Sequence, residues 1–524
     1  MNTLLNNKFL VIFLAPFLLG GITILSFPPY NITFINFFTF SILLFLILLI
    51  KKRTQPKYRK KKSTRYFFYL GCAFGFGFFL FGNYWITISL THDEMFKGLI
   101  PLALILIPLF LSLFFGLAVL LIGGFAEKNI AFIFLFSLVF SIFEFIRGTI
   151  FTGFPWNLIS YTWSWSIETI QVLSIIGTYS LSLISITFFS IPFLFFQKKI
   201  FKKNIFFLLF FIIIFVINYS YGIIKLNKAN YNLDKKLNVT IVSPNFSLKD
   251  YNTKSEELQL KRLIKISDPK EQQKTLFIWP EGIFYESYLE DIKKYQNLFK
   301  EKFSENHLII LGINNFFIDE DMKNEKYFNS LVVLNNKSEI IALYNKVNLV
   351  PFGEFLPFEN ILKKIGAKSL TNNYRSYSPG DKREIIDLSL NGLKIKFLPL
   401  ICYELIYSGE LSKNNNFNYI INISEDGWFG DSIGPHQHFA HAIFRSIESG
   451  KYFIRSANNG ISAVINPIGK VISKINIDKT GKLDFEYSKI EEKTIFSVFG
   501  NKTIIFVILI YILLIFSFNR LENE

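Results

Sequence analysis

The sequence predicts a mixed α/β protein: a polytopic helical membrane domain of about eight transmembrane helices, plus an extracytoplasmic α/β domain inserted before the last of them. Three observations carry this reading. The 524 residues are 51% hydrophobic, include 63 phenylalanines and have a positive mean hydropathy, which is too apolar for an ordinary soluble chain. Apolar runs near the ~20 residues needed to cross a bilayer recur along the first half and once more at the end. Between about Leu237 and Tyr487 they shorten to strand-like runs alternating with more polar, helical stretches.

The membrane-length runs are Phe9 to Phe27, Ile32 to Ile50, Phe67 to Leu90, Leu99 to Phe125, Ile130 to Ile146, Ile170 to Phe196 and Ile205 to Ile224, with an eighth from Thr503 to Phe518. The first is expected to be a retained helix and not a signal peptide, because Pro28-Pro29-Tyr30 follows it in place of a small-residue cleavage pattern. The domains are therefore expected at 1–230 (transmembrane helices one to seven), 231–490 (the α/β domain) and 500–519 (helix eight).

Charge sets the orientation. The formal net charge is +16, but residues 51–65 hold nine Lys or Arg and no acid, and residues 197–204 hold four more Lys. Basic excess confined to two short loops beside apolar spans is the signature of cytoplasmic loops. It argues against a nucleic-acid partner. Putting both loops inside places both termini inside and the α/β domain outside. Of the two cysteines, Cys72 lies in an apolar span and Cys402 far from it, so no disulfide framework is expected.

Two features of the membrane part stay open. The connector from Phe151 to Trp165 carries Trp156, Tyr161, Trp163 and Trp165, which suits either an interfacial aromatic belt or a substrate contact. Glu144 and Arg147, one turn apart, are expected to pair locally, with a role in lipid headgroup binding as the alternative.

In the α/β part, strands are expected at Asn238 to Val242, Leu276 to Trp279, Leu308 to Leu311, Ser330 to Leu334, Leu393 to Ile401, Tyr419 to Ile423 and Ile461 to Ile465, and a helix at His436 to Tyr452. Leu393, Ile395 and Phe397 alternate with Lys394 and Lys396, the period of a half-buried strand.

Three strand ends carry the candidate chemistry: Glu281 in Trp279-Pro280-Glu281, Lys346 in Asn345-Lys346, and Cys402 in Ile401-Cys402-Tyr403-Glu404. A thiol with a pKa near 8.5 is only slightly ionised at neutral pH and needs a cation or a base to react. Lys346 supplies the cation. A carboxylate in a partly apolar pocket has its pKa raised toward neutrality, which suits Glu281 to take and return a proton. The ammonium and the backbone N–H after Cys402 would then hold an oxyanion, giving acyl transfer through a thioester. None of the histidines stands at a comparable strand end.

The surrounding motifs are Phe151-Thr-Gly-Phe-Pro-Trp156, Tyr344-Asn-Lys-Val-Asn-Leu-Val-Pro-Phe-Gly-Glu354, Ile401-Cys-Tyr-Glu404, Asp426-Gly-Trp-Phe-Gly-Asp-Ser-Ile-Gly-Pro-His-Gln-His438 and Arg455-Ser-Ala-Asn-Asn-Gly460. In this order, over nearly the whole chain, they resemble the nitrilase (carbon-nitrogen hydrolase) superfamily and, within it, the apolipoprotein N-acyltransferase family. The resemblance implies an αββα sandwich with Glu281 as general base, Lys346 as stabiliser of the tetrahedral intermediate and Cys402 as acylated nucleophile. It implies supporting roles for Glu354, Tyr403 and Glu404, and pocket-forming segments at Gly427-Trp428-Phe429 and Asn458-Asn459-Gly460. Trp428 suits core packing as well as a pocket. The implied partners are a phospholipid acyl donor, a diacylglyceryl-modified apolipoprotein acceptor and the membrane, with no cofactor and no metal. The implied location is the bacterial inner membrane, with the catalytic domain on the periplasmic side. The chain departs from the family's usual Lys-Trp at Lys249-Asp-Tyr-Asn252, where Tyr251 is the available aromatic. Phe352, Phe355, Leu356, Phe358, Ile361 and Leu362 suit a lid or lipid groove, or else the domain core.

Two rival classes use the same features differently. A membrane-anchored amidase or nitrilase would release the acyl group to water. A transporter or lipoprotein-binding scaffold would need several ionisable residues buried in mid-span, and the spans hold few.

Overall fold

The computed structural model describes residues 7–54, 60–196, 202–229, 237–248, 255–318, 325–357, 376–411, 415–486 and 493–523. It divides into two compact units. The first comprises Met1–Lys228, Phe429–Ala440 and Thr494–Glu524, and the second Ala229–Trp428 and His441–Lys493.

The first unit is helical. Among the described residues, seven helical spans are long and apolar enough to cross a membrane: Ile35–Thr54, Thr64–Thr91, Ile100–Gly123, Ile130–Thr149, Thr169–Phe195, Lys202–Lys228 and Ile495–Leu521. The remaining expected span is shorter, Leu10–Ser26. It opens on a π-helical turn and closes on a 3₁₀ turn. At a helical rise of ~1.5 Å per residue it falls short of the ~30 Å hydrocarbon core.

Lipid tails are as apolar as the helices, so contact quality decides how such helices pack. A Cβ on Gly71 would lie 2.5 Å from the carbonyl oxygen of Phe115, so the two backbones meet where no side chain fits. Elsewhere the gaps are filled by phenylalanine: Phe40 lies within aromatic contact of Phe74, Phe136, Phe140 and Phe189. Much of the unusual phenylalanine content is thus interior packing.

The interfacial-belt reading of the connector fails for three of its four aromatics with polar tips. Trp156, Tyr161 and Trp163 are buried, and Trp165 is exposed. The Trp163 indole donates to the Ser185 hydroxyl at 2.9 Å and the Trp156 indole to Gln437 Oε1 at 2.7 Å, so their polar tips are satisfied by protein. Glu144 and Arg147 are also buried. Glu144 accepts from the Ile159 N–H at 3.2 Å, and the Arg147 guanidinium lies 5.1 Å over the Phe79 ring.

The second unit is an αββα sandwich of two six-stranded sheets. The first sheet has the order β12-β1-β2-β3-β4-β5, from Gly481–Glu486, Asn238–Ser243, Thr275–Ile278, His307–Ile318, Glu325–Asn335 and Ile340–Asn345. The second has the order β11-β10-β9-β8-β7-β6, from Val471–Ile475, Ser462–Ile465, Tyr452–Asn458, Tyr419–Glu425, Leu393–Ile401 and Ile386–Leu390. Helix Glu256–Ser267 shows why the layers hold. Its Leu260, Leu263 and Ile264, at helical spacing, are buried with Phe277, Trp279, Ile309 and Val332 of the first sheet. The sheets are tied by the Ser456 hydroxyl donating to the Val242 carbonyl at 2.8 Å.

Five strands, β5, β6, β9, β11 and β12, have no counterpart among the expected strand runs, although the strand end expected at Lys346 is the end of β5. For β6 a signal was present. Asn391-Gly392 joins the Leu390–Leu393 pair with both residues at positive φ, which is the chemistry of a tight hairpin. β9 was hidden by its own polarity, since Arg455, Ser456 and Asn458 are all buried in it. The expected helix is found at Gly434–Ser449.

Candidate active site

The first sheet brings two of the candidate residues together. β2 runs parallel to β3, and the pairing continues past its end through the Trp279 N–H to the Ile310 carbonyl at 2.8 Å, delivering Glu281 above β3. Gly312 permits this, because a Cβ there would lie 2.8 Å from Glu281 Cα. The β4–β5 hairpin is antiparallel, and the Lys346 N–H donates to the Asn329 carbonyl at 2.9 Å, so Lys346 stands beside Asn329.

Four side chains then converge. Lys346 Nζ donates to Glu354 Oε1 at 2.8 Å and lies 4.0 Å from Glu281 Oε1. Asn329 Nδ2 donates to both carboxylates, at 2.7 Å to Glu281 Oε1 and 2.9 Å to Glu354 Oε1. Glu354 Oε2 accepts from the Val350 N–H at 2.8 Å. Lys346 is only 1% exposed. Burial alone would drive its pKa down, but the Glu354 and Glu281 charges push it above the ordinary lysine value, so the ammonium is kept.

The second sheet supplies the thiol. Cys402 follows β7 directly and has φ +50°, the left-handed region, at the start of the Cys402–Ile406 turn. A non-glycine residue held there is a strained position that its surroundings must enforce. Asn422 does so from β8: its Nδ2 reaches the Leu400 and Cys402 carbonyls at 3.2 and 3.3 Å. Burial, then the Glu281 charge, pushes the thiol pKa up, and Lys346 only partly counters this. The resting sulfur is therefore a thiol and not a preformed thiolate, so Lys346 alone does not activate it. Burial also raises the Glu281 pKa, assisted by the Glu354 charge and opposed by Lys346. The group beside the thiol is a base of raised strength, which is what a neutral nucleophile needs.

Glu281 is also held from the second sheet, where the Glu425 N–H donates to its Oε2 at 3.0 Å. Glu425 in turn accepts from Asn458 Nδ2 at 2.6 Å and the Gly427 N–H at 2.8 Å. Asn458 and Asn459 also donate to the Phe246 carbonyl at 2.9 and 2.6 Å, so this segment braces the strand ends. Arg455 grips both oxygens of Asp426 at 2.7 Å inside the sandwich.

The remaining predicted residues are placed as follows. Glu404 is fully buried and its carboxylate joins the chain around Lys346 to the Cys402 turn. Tyr403 is buried, with its ring edge-on to Tyr407 at 5.7 Å. Trp428 is 43% exposed, which rules out the core-packing reading. Phe429 belongs to the first unit, where its ring lies 4.7 Å from Trp85 and 6.0 Å from Trp156. Phe352 is 64% exposed, at φ +63°, and is no core residue, while Phe355 and Leu356 are half-buried. Phe358, Ile361, Leu362 and Tyr251 lie outside the described residues.

Sequence reasoning missed Asn329, Asn422, Glu425 and Arg383, whose Nη2 donates to Glu404 Oε1 at 2.7 Å. Each is a polar residue whose purpose is a through-space contact, and no local pattern marks it. Among the described residues, no cluster of His, Cys, Asp or Glu is suited to hold a metal ion.

Known families match both parts. Residues 19–191 match the apolipoprotein N-acyltransferase N-terminal domain, and residues 248–490 match carbon-nitrogen hydrolase. The apolipoprotein N-acyltransferase of Rickettsia prowazekii is 34% identical over 516 residues, spanning 96% of this chain and 98% of that protein. The chain belongs to the apolipoprotein N-acyltransferase family. The Brucella suis member is 30% identical over 483 residues, 90% of this chain and 88% of its own. Among solved structures, Saccharomyces cerevisiae Nit3, a member of branch 10 of the nitrilase superfamily, aligns over 50% of this chain and 93% of its own at 19% identity and a TM-score of 0.35. The chain is an acyltransferase of multi-pass membrane type, with a carbon-nitrogen hydrolase domain.

Proposed function

We propose that this chain takes an acyl chain from a membrane phospholipid onto Cys402 and passes it to the N-terminal α-amine of the diacylglyceryl-cysteine of an apolipoprotein. The carrying observation is the cluster of buried Lys346 with the largely enclosed Glu281 and Glu354, in which the Glu281 and Lys346 charges act on the thiol of Cys402 at its left-handed turn.

In the first half-reaction Glu281 takes the thiol proton as sulfur attacks the ester carbonyl. The Lys346 ammonium and the Tyr403 backbone N–H receive the oxyanion. Collapse breaks the ester C–O bond, Glu281 returns the proton to the departing alkoxide, and lysophospholipid leaves a thioester behind. In the second half-reaction the amine attacks the thioester carbonyl, Glu281 takes the amine proton and passes it to the sulfur as the C–S bond breaks, so an amide forms and the cysteine leaves as thiol. Proton transfer of this kind contributes ~10²–10⁴-fold, and loss of one oxyanion donor costs ~10²–10³-fold. Two substrates sharing one covalent intermediate give ping-pong kinetics.

Both substrates are lipids. The basic loops support placing this activity at the outer, periplasmic face of a bacterial inner membrane, with the domain at 231–490 tethered by helices in 1–230 and 500–519. Exposed Phe352 and the half-buried Phe355 and Leu356 are suited to line the acyl path.

The test is intact-protein mass spectrometry after mixing the full chain with phospholipid and no amine. A mass increment of one acyl group on Cys402, absent in Cys402→Ala although that variant still inserts in the membrane, is expected. Release of free fatty acid without a lasting adduct would make the chain a hydrolase, and transfer that persists in Cys402→Ala would remove the mechanism.

A further inference from the structure

Glu404 lies two residues after Cys402 and is fully buried, yet it receives five donors. Its Oε1 accepts from the Tyr344 hydroxyl at 2.7 Å, the Val347 N–H at 3.0 Å, the Asn348 N–H at 3.1 Å and Arg383 Nη2 at 2.7 Å. Its Oε2 accepts from the Ile401 N–H at 2.8 Å. Tyr344 and Val347 flank Lys346, and Ile401 and Glu404 flank Cys402. One carboxylate therefore bonds to residues on both sides of Lys346 and, from its own place after Cys402, back to the residue before that cysteine, across the two sheets.

So many donors are satisfied only while the carboxylate is charged, since a protonated oxygen gives up acceptor sites. Burial would push its pKa up, but Arg383 and the hydrogen bonds outweigh burial and hold it below the ordinary carboxylate range. Arg383 is itself only 6% exposed. It spans the same junction, with Nη2 also reaching Asn348 Oδ1 at 2.8 Å, Nε the Tyr344 hydroxyl at 3.2 Å and Nη1 the Leu411 carbonyl at 3.3 Å. A planar fork can serve several acceptors at once where a lysine cannot.

We propose that Arg383 is a positioning residue for acyl transfer: its fork on Glu404, Tyr344 and Asn348 locks the segment carrying Lys346 to the turn carrying Cys402, and so sets where the cation stands relative to the nucleophile. This rests on the function proposed above and adds a residue that acts without touching substrate.

The experiment measures single-turnover acyl loading of Cys402 from phospholipid by intact mass, from pH 5 to 9, for the parent, Arg383→Met and Arg383→Lys. Without the guanidinium, Glu404 protonates at higher pH and releases its backbone donors. Loading in Arg383→Met falls about tenfold or more at pH 6, of the order expected for one charged hydrogen bond, and the variant-to-parent ratio rises with pH as the carboxylate reionises. The phospholipid concentration for half-maximal loading stays at the parent value. Arg383→Lys keeps the charge but loses the fork, so its loading falls with the pH profile of the parent. A generally destabilised protein would lose the same fraction at every pH. That result, or parent-like loading in Arg383→Met, overturns the proposal. If Arg383→Met does not fold, Arg383→Lys decides: reduced loading at the parent's melting temperature supports the proposal, whereas parent-like loading, or a loss that comes with a lowered melting temperature, overturns it. Absence of any adduct in the parent would instead overturn the underlying function.

Discussion

Glu354→Gln tests the electrostatics of the cluster most directly. The glutamate uses both oxygens, one for Lys346 and Asn329 at 2.8 and 2.9 Å and the other for the Val350 N–H at 2.8 Å. An amide has one acceptor, so whichever way it turns, its NH₂ faces a donor. One unmade bond at a buried site costs ~1–3 kcal/mol, about 5- to 150-fold in rate if it is felt in the transition state. Lys346 also loses its nearer counter-charge and keeps only Glu281 at 4.0 Å, which places the expected loss near the top of that range, about 10²-fold. The sign of the pH effect is a sharper measure. Glu354 pushes the Glu281 pKa up and Lys346 pulls it down. Removing the first and freeing the second both lower it. Because Glu281 must be ionised to take the thiol proton, the acid limb of the loading profile moves to lower pH while the plateau falls. Single-turnover loading on Cys402 across pH 4 to 8 reads both effects. A plateau unchanged from the parent, or an acid limb that stays or moves to higher pH, would refute the reasoning.

Other outcomes follow from the same geometry. Alkylation of Cys402 by iodoacetamide, followed by peptide mapping, keeps rising with pH through 9, because burial and Glu281 hold the thiol above its ordinary pKa; a plateau at or below neutrality would instead mean a preformed thiolate. Gly312→Ala forces a Cβ to within 2.8 Å of Glu281 Cα, so it costs ~1–3 kcal/mol of stability and displaces the base, seen as a lower melting temperature and slower loading together. Asp426→Asn leaves the fully buried Arg455 facing a neutral group, and breaking such a pair costs ~3–5 kcal/mol, measurable as loss of the folded second unit in denaturant; a variant as stable as the parent would show that the pair is energetically idle.

The legible parts of the chain were those written in local pattern. Apolar runs announced the membrane helices, and the abrupt end of an apolar strand at a charged or reactive residue marked Glu281, Lys346 and Cys402. What escaped is instructive in physical terms. β9 carries Arg455 and Asn458 inside the sandwich and looks like a loop, because polar residues enter a core only when partners elsewhere satisfy them. Trp156 and Trp163 look like interface anchors, because aromatics with polar tips suit both water-lipid boundaries and interiors, and only the positions of Gln437 and Ser185 decide between them.

By itself the sequence determined that this protein is built of membrane helices and an α/β domain, and which three side chains stand at strand ends, since hydrophobic periodicity acts over a few residues and is readable there. Only the tertiary structure decided how those side chains are charged and held. The bond from Glu425 to Glu281 joins positions 144 residues apart, and Arg383 reaches Glu404 across a turn that neither residue's neighbours predict. Burial and through-space charge set the proton on Cys402, and both are properties of the packed interior.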